Sequence, residues 1–292
     1  MAPEWTLGVI GGSGLYDLPG LADIQDIPVA SAFGDPSGPV RLGRIGPVKV
    51  VFMARHGEGH RLPPASVNYR ANIDVMKRCG VTDLVALSEV WPLSKDLASG
   101  DFAIVDQFID RTTSREGSFF GSGIVAHVPF AEPVCDRLAG YAAKAARKVG
   151  GRVHEGGCYV AIEGPQSPTR AESELYRSWG AQVVGMTGMP EARLAREAEL
   201  PYSLVGMVTG CGSYSAGSTD IAGASTHENS ERARKLVSTL AKSLPAKRKP
   251  SPIDTVLEGA IVTPRERWDR VAALRLDAVA GRLLRNGTIS AE

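Results

Sequence analysis

The feature that most constrains the fold is an alternation of short apolar runs with longer amphipathic stretches. The runs are TLGVIGG, VKVVFMA, VTDLVALSEV, DFAIVDQFI, CYVAIEG, AQVVGMTG and YSLVGMVTG. Several are apolar on both faces, the pattern of strands covered by helices on each side of a sheet. Between them, helical periodicity falls on Val67 to Cys79, Val134 to Val149, Thr169 to Trp179, Pro190 to Glu199 and His227 to Ser243. The chain therefore reads as a single α/β layered domain without internal repeats, assigned to residues 1–246.

The Pro- and Lys-rich stretch SLPAKRKPSP separates that body from residues 247–292. There Thr263 stands as a helix N-cap with Pro264 at N1 and Glu266 at N3, ahead of apolar Trp268, Val271, Leu274, Val279 and Leu283. The tail is expected to form an amphipathic helix ending near Asn286-Gly287, packed on the body or on a neighbouring subunit.

Charge narrows the class of partner. The 33 basic and 32 acidic side chains leave a formal charge of +1, which favours neither nucleic acid nor an anionic membrane. No window approaches the apolar length of a bilayer span and no leader pattern opens the chain, so a cytoplasmic protein acting on a small molecule is expected. Cys79, Cys135, Cys158 and Cys211 are widely spaced, without metal-ligand spacing, and read as reduced thiols. No metal is expected.

Four stretches could carry chemistry. In GVIGGSGLYDL a strand enters a glycine-rich turn with Ser13, suited either to cradling phosphate oxygens or to turning the chain. In FMARHGEGHRLPP, Arg55, His56 and His60 follow a strand, and a guanidinium beside an imidazole suits an oxyanion. In DQFIDRTTSREGSFF, Asp106, Asp110 and Arg111 are read as loop ion pairs, while His127 in HVPFAEP faces either a substrate or solvent. In YVAIEGPQSPTRAE and VVGMTGMPEARLA a strand delivers hydroxyl, amide and thioether groups to a helix start, and Met186 with Thr187 could floor and bind a sugar.

Taken together, GVIGGSGLYD, MARHGEGH with VNYRANI, DQFIDRTT, HVPFAEP, IEGPQSPTRAES and MTGMPEARLAREA resemble, in order and spacing, the 5′-methylthioadenosine phosphorylase branch of the trimeric purine nucleoside phosphorylases. The resemblance spans Thr6 to Ser243, and the tail after Ala246 lacks a clear counterpart. It implies a single α/β domain with a mixed, partly barrel-like sheet, assembled as a homotrimer. It also implies phosphorolysis, in which phosphate attacks C1′ of a nucleoside and frees the base, with no cofactor beyond phosphate as co-substrate. By matching strings, Ser13, Arg55, His56, Ser88 and Thr187 would hold phosphate, the last four as catalytic residues. Met186 would line the ribose, with His60, His127 and Glu89 toward the 5′ side. The RHGE string also resembles the histidine phosphatases, which carry it in their first strand; here another strand precedes it.

Departures from the family pattern cluster around the base. Where relatives have a Thr-Thr-Ala-Cys-Gly-Ser-Leu-like run, this chain has Leu87-Ser88-Glu89-Val90-Trp91-Pro92-Leu93, which sets Trp91 against a glycine and Glu89 against an alanine. Where relatives have Thr-Asp-x-Asp, it has Thr209-Gly210-Cys211-Gly212, without either base-binding carboxylate. Gln166 and Ser167 replace an Arg and a base-stacking Phe. Loss of the carboxylates removes on the order of several kcal/mol of transition-state stabilisation for a departing purine. Trp91 shrinks the pocket, and an amide such as that of Gln166 can read uracil in two contacts. The expectation is a pyrimidine-preferring phosphorylase acting on uridine or a 5′-modified uridine. The alternatives are a methylthioadenosine or other purine nucleoside phosphorylase, and a catalytically silent nucleoside- and phosphate-binding paralogue.

Overall fold

The computed structural model describes residues 4–12, 17–210 and 224–285, the side chains of 224–227 and 285 excepted. The strands in chain order are β1 (Thr6–Gly11), β2 (Ala22–Ile27), β3 (Val40–Ile45), β4 (Val48–Ala54), β5 (Asp83–Pro92), β6 (Phe102–Val105), β7 (Gln107–Asp110), β8 (Val153–Glu155), β9 (Cys158–Ala161), β10 (Ala181–Gly185) and β11 (Tyr202–Val208). The helices are α1 (Tyr69–Arg78), α2 (Asp136–Lys148), α3 (Arg170–Ser178), α4 (Gly188–Glu197), α5 (Ala224–Ser243), α6 (Arg270–Arg275) and α7 (Gly281–Arg285). This is the expected single-domain α/β fold with a mixed central sheet flanked by helices.

The centre of the sheet is parallel: β4 pairs β1, β1 pairs β5, and β5 pairs β11. Their C-terminal ends therefore open on one edge, where open α/β sheets place ligands. The long strand β5 then takes antiparallel β10 at its far end, Trp91 against Val184, and so passes the sheet to β9 and β7. The run DFAIVDQFI, which reads as one strand, breaks at Asp106 into β6, beside β11, and β7, beside β9.

Alternation along the central strands divides the core. Val50 and Phe52 of β4 and Val85 and Leu87 of β5 face α2 and α5, whereas Val51, Met53, Leu84 and Ala86 pack toward α1 and α4. Each face is closed by helices, which is why these strands carry almost no polar residue before their ends.

The tail departs from its expected form. It folds into 3-10 turns at Pro252–Thr255 and Arg265–Arg267, followed by the short α6 and α7, rather than one amphipathic helix. The Thr263 hydroxyl accepts from Val125 N (2.8 Å) instead of capping a helix, and Asp269 caps α6 by accepting from Ala272 N (2.8 Å). Leu257, Ala273, Leu276, Val279 and Ala280 are buried in the core of the body, so the tail packs on its own chain. Arg248 fastens it to buried Asp83 and to Asp254, and Arg282 to Glu199. Among the described residues, no helix is long and apolar enough to cross a membrane.

Candidate active site

The parallel register brings the strand-end residues together. Arg55 follows β4 and its N–H donates to Gly11 O at the end of β1 (2.9 Å). Its guanidinium reaches Leu87 O in β5 (3.1 Å) and Ile10 O in β1 (3.4 Å). Glu191, in the first turn of α4, takes the guanidinium in two parallel bonds, Nε to Oε2 at 2.8 Å and Nη2 to Oε1 at 3.0 Å. Both side chains are buried, 2% and 1% exposed. Four of the five guanidinium N–H groups are thereby occupied, and one Nη1–H has no partner among the described residues. Burial works against the charge on Arg55, but the Glu191 carboxylate outweighs it and holds the guanidinium firmly protonated. Tyr202 completes the network by donating its O–H to Glu191 Oε1 (3.0 Å).

His56 is held by Leu62 O, 2.8 Å from Nδ1. A carbonyl only accepts, so Nδ1 carries the hydrogen and Nε2 presents a lone pair. Burial, then the neighbouring Arg55, lowers the imidazole pKa to about 4. His60, exposed and with a positive φ of 57°, stacks on it at 4.2 Å between ring centroids.

The antiparallel step from β5 to β10 sets the turn after β10 beside Ser88. Ser88 Oγ and Thr187 Oγ1 lie 3.1 Å apart, and both residues are buried. The backbone N–H groups of Thr187 and Gly188 both donate to the Tyr159 hydroxyl, at 3.1 and 3.3 Å. Gly185 is required there, since a Cβ would fall 2.2 Å from that hydroxyl oxygen. The N-terminus of α4 is thus occupied by a protein oxygen, and what this turn offers a ligand is the Thr187 hydroxyl.

Met186 is buried in a small apolar cluster with Leu93, Val160, Ile162 and Val184, and half-buried Trp91 packs on its edge. Gly164 passes directly beneath Met186, where a Cβ would lie 2.4 Å from the sulfur. Thr209 N donates to Val90 O (2.9 Å), which places the start of the Thr-Gly-Cys-Gly run next to Trp91. Glu89, between Ser88 and Val90, is exposed.

Other expected site residues make no described contact with Arg55, His56, Ser88 or Thr187, or lie outside the described residues. Gln166 and Ser167 are exposed on the segment before α3. His127 is exposed on the loop before α2 and lines a cavity of about 380 Å³ with Phe130, Arg193 and Glu197. Ser13 and Gly212 lie outside the described residues, whereas Gly210 closes β11 with φ 66°. Asp110 pairs with Arg193 (2.9 Å) and Asp106 accepts from Gly157 N (3.0 Å), as loop-tying residues should. Cys79, Cys135 and Cys158 are free thiols. Among the described residues, no group of three His, Cys, Asp or Glu converges as a metal site would.

Two contributors were not read from the sequence: Glu191 and Tyr159. Glu191 follows a Pro in the first turn of a helix, where an acid reads as a dipole partner. Its signal was the strand-end Arg, which had to find a carboxylate once buried.

The phosphorylase superfamily profile matches residues 6–244. The S-methyl-5′-thioadenosine phosphorylase of Bradyrhizobium diazoefficiens is 48% identical over 286 residues, 96% of this chain and 98% of that protein. That of Cereibacter sphaeroides is 49% identical over 285 residues, 96% of this chain and 98% of that protein. These alignments extend into the segment after residue 247, so the tail does have a counterpart in relatives. Among solved structures, a methylthioadenosine phosphorylase from an Antarctic soil metagenomic library superposes with a TM-score of 0.91 at 37% identity, covering 94% of this chain and 99% of that one. The Schistosoma mansoni methylthioadenosine phosphorylase in complex with tubercidin superposes with a TM-score of 0.79 at 31% identity, covering 89% and 99%. These relatives carry the methylthioadenosine name, and the expectation of a uracil preference finds no support in them. With a profile match over most of its length and relatives of this identity end to end, the chain belongs to the phosphorylase superfamily, among its nucleoside phosphorylases.

Proposed function

We propose that this chain is a 5′-methylthioadenosine phosphorylase, cleaving the N-glycosidic bond with inorganic phosphate to release adenine and a pentose 1-phosphate. The observation that carries the reading is the run of relatives bearing that name, nearly half identical over almost the whole chain. A phosphate oxygen forms the bond to C1′ as the C1′–N bond breaks; the electron pair of that bond departs with the base, which gains a proton from water as the phosphate loses its own. The transition state is a pentosyl cation between the incoming phosphate and the departing base, so its stabilisation is electrostatic and geometric.

In this reading the buried hydroxyls of Ser88 and Thr187 and the remaining Nη1–H of Arg55 donate to phosphate oxygens. The Arg55–Glu191 pair is close to neutral, so Arg55 acts by direction more than by net charge. The free Nε2 of His56 accepts the hydrogen of hydrogenphosphate. Met186 packs under the ribose. Phosphate is the only co-substrate, and the trimer implied by the resemblance is the assembly proposed.

One observation favours a smaller base. Trp91 packs against the Met186 cluster next to Thr209, where it takes up room beside the ribose floor. A pyrimidine nucleoside is the second reading on that ground. Incubation with phosphate and a panel of methylthioadenosine, adenosine, inosine, uridine and 5′-modified uridines separates the two. Adenine released from methylthioadenosine faster than uracil from any uridine supports the first; the reverse order supports the second, and no release at all supports a silent binding protein.

A further inference from the structure

Arg115, in the loop SREGSFF after β7, reaches the turn between β10 and α4 that carries Met186 and Thr187. It is 1% exposed and reaches three separate segments. Its Nη1 donates to Met186 O (2.6 Å), Met189 O (2.7 Å) and the Tyr69 hydroxyl (3.1 Å). Its Nη2 donates to Glu163 O (2.8 Å) and Ile162 O (3.3 Å), and its Nε to Glu163 Oε1 (2.8 Å). Glu163 in turn accepts from Thr113 N (2.7 Å) and Ser114 N (3.2 Å), closing the loop onto the guanidinium.

The two carbonyls on Nη1 bracket Thr187, whose hydroxyl meets Ser88 at 3.1 Å. The carbonyls on Nη2 belong to the strand end that leads into Gly164, the residue on which the Met186 sulfur rests. Backbone carbonyls buried away from water need donors, and a planar fork is the side chain that can serve several at fixed angles. A lysine at this position brings three N–H groups from one point and leaves several of these oxygens unserved.

We propose that Arg115 is a positioning residue of the phosphorylase site, setting Thr187 against Ser88 and Met186 over Gly164 while touching neither substrate. The inference rests on the phosphorolysis reading above. Misplacing a reacting group by about 1 Å costs about 100-fold in rate, and that is the scale expected when the fork is lost.

The test compares wild type, Arg115→Lys and Arg115→Ala in phosphate-dependent base release from methylthioadenosine, with melting temperature measured on each. Arg115→Lys should fall by about 10- to 100-fold in kcat/KM when assayed well below its melting temperature, which should itself drop because buried carbonyls lose their donors. Arg115→Ala should regain part of its rate in millimolar guanidinium chloride, but not in equal sodium chloride, with no rise in melting temperature. Arg115→Lys within twofold of wild type, or losses that follow melting temperature without guanidinium rescue, overturns the inference while leaving the activity standing. A wild-type protein that releases no base from any nucleoside overturns the activity and this inference with it.

Discussion

Arg55 and Glu191, 136 residues apart, form a buried two-point ion pair across the end of the sheet. The strand end supplies the cation and the helix start supplies the anion, so the pair fixes α4 against β4. The contact ties the first turn of α4 to the end of β4, while Tyr159 and Arg115 hold the turn that precedes it.

Removing one partner should cost more than the pair contributes. Glu191→Gln leaves a buried guanidinium without its counter-charge, and destabilisation by about 3 to 5 kcal/mol is expected in urea unfolding. Tyr202→Phe removes only one hydrogen bond to the same carboxylate and should cost about 1 kcal/mol. A smaller loss in Glu191→Gln than in Tyr202→Phe would show that the pair does not anchor the helix.

The hydroxyl pair should matter to rate more than to stability. Thr187→Val keeps the shape of the side chain and removes the donor beside Ser88, so kcat/KM with phosphate should drop by about 100-fold. Thermal melting run alongside should change by only a few degrees. A variant that melts much earlier, with its residual folded fraction fully active, would assign Thr187 to the fold instead.

Two buried groups give opposite dependences of stability on pH. His56 is held near a pKa of about 4, against 6.5 when unfolded, first by burial and then by Arg55. Between those values the unfolded chain binds more protons, so this contribution is present above pH 6.5 and is lost as pH falls through the window, by up to about 3 kcal/mol. Glu197 is raised by burial to about 7 from 4.5. Its contribution is present below the unfolded value and is lost as pH rises toward 7, again by up to about 3 kcal/mol. The two act in opposite directions in the wild type. His56→Asn should therefore make the protein lose stability from pH 4.5 to 7, and Glu197→Gln should make it gain, in unfolding followed across that range. Parallel curves for all three proteins would contradict both assignments.

Much of this was legible in the sequence because burial on both faces writes an unbroken apolar run. The central strands β1, β4, β5 and β11 and helices α1 to α5 fall where the pattern places them. The edge strand β2 and its neighbour β3 carry charged, exposed or half-exposed residues such as Asp23, Asp26, Arg41 and Arg44, and no periodicity marks them. Arg55 and His56 were readable at the end of an apolar strand, whereas Ser88 and the phosphate role of Thr187 came from the resemblance. Arg115 and Tyr159 were not, since their partners are backbone groups far away in sequence, and composition carries no trace of a carbonyl that needs a donor. The uracil preference came from Trp91, the glycines at 210 and 212, and Gln166 with Ser167. It gave a few substitutions more weight than the rest of the chain, which follows relatives with the methylthioadenosine name.

The tail is predicted to be integral to the fold. Arg248 is buried with its guanidinium on Asp83, a carboxylate fully enclosed at the start of β5, and on Asp254. Arg248→Ala should cost about 3 kcal/mol or more, because Asp83 is then left with Arg137 alone among these cations. The midpoint of thermal unfolding measures it. A change of less than one degree would mean that the tail rests on the body without supporting it.

The most direct measurement follows adenine and phosphate together in a mixture of purified protein, methylthioadenosine and inorganic phosphate. The account predicts one adenine freed for each phosphate consumed, no release when phosphate is omitted, and kcat/KM above that for uridine. Adenine release without phosphate, or uracil released from uridine faster than adenine from methylthioadenosine, would contradict it.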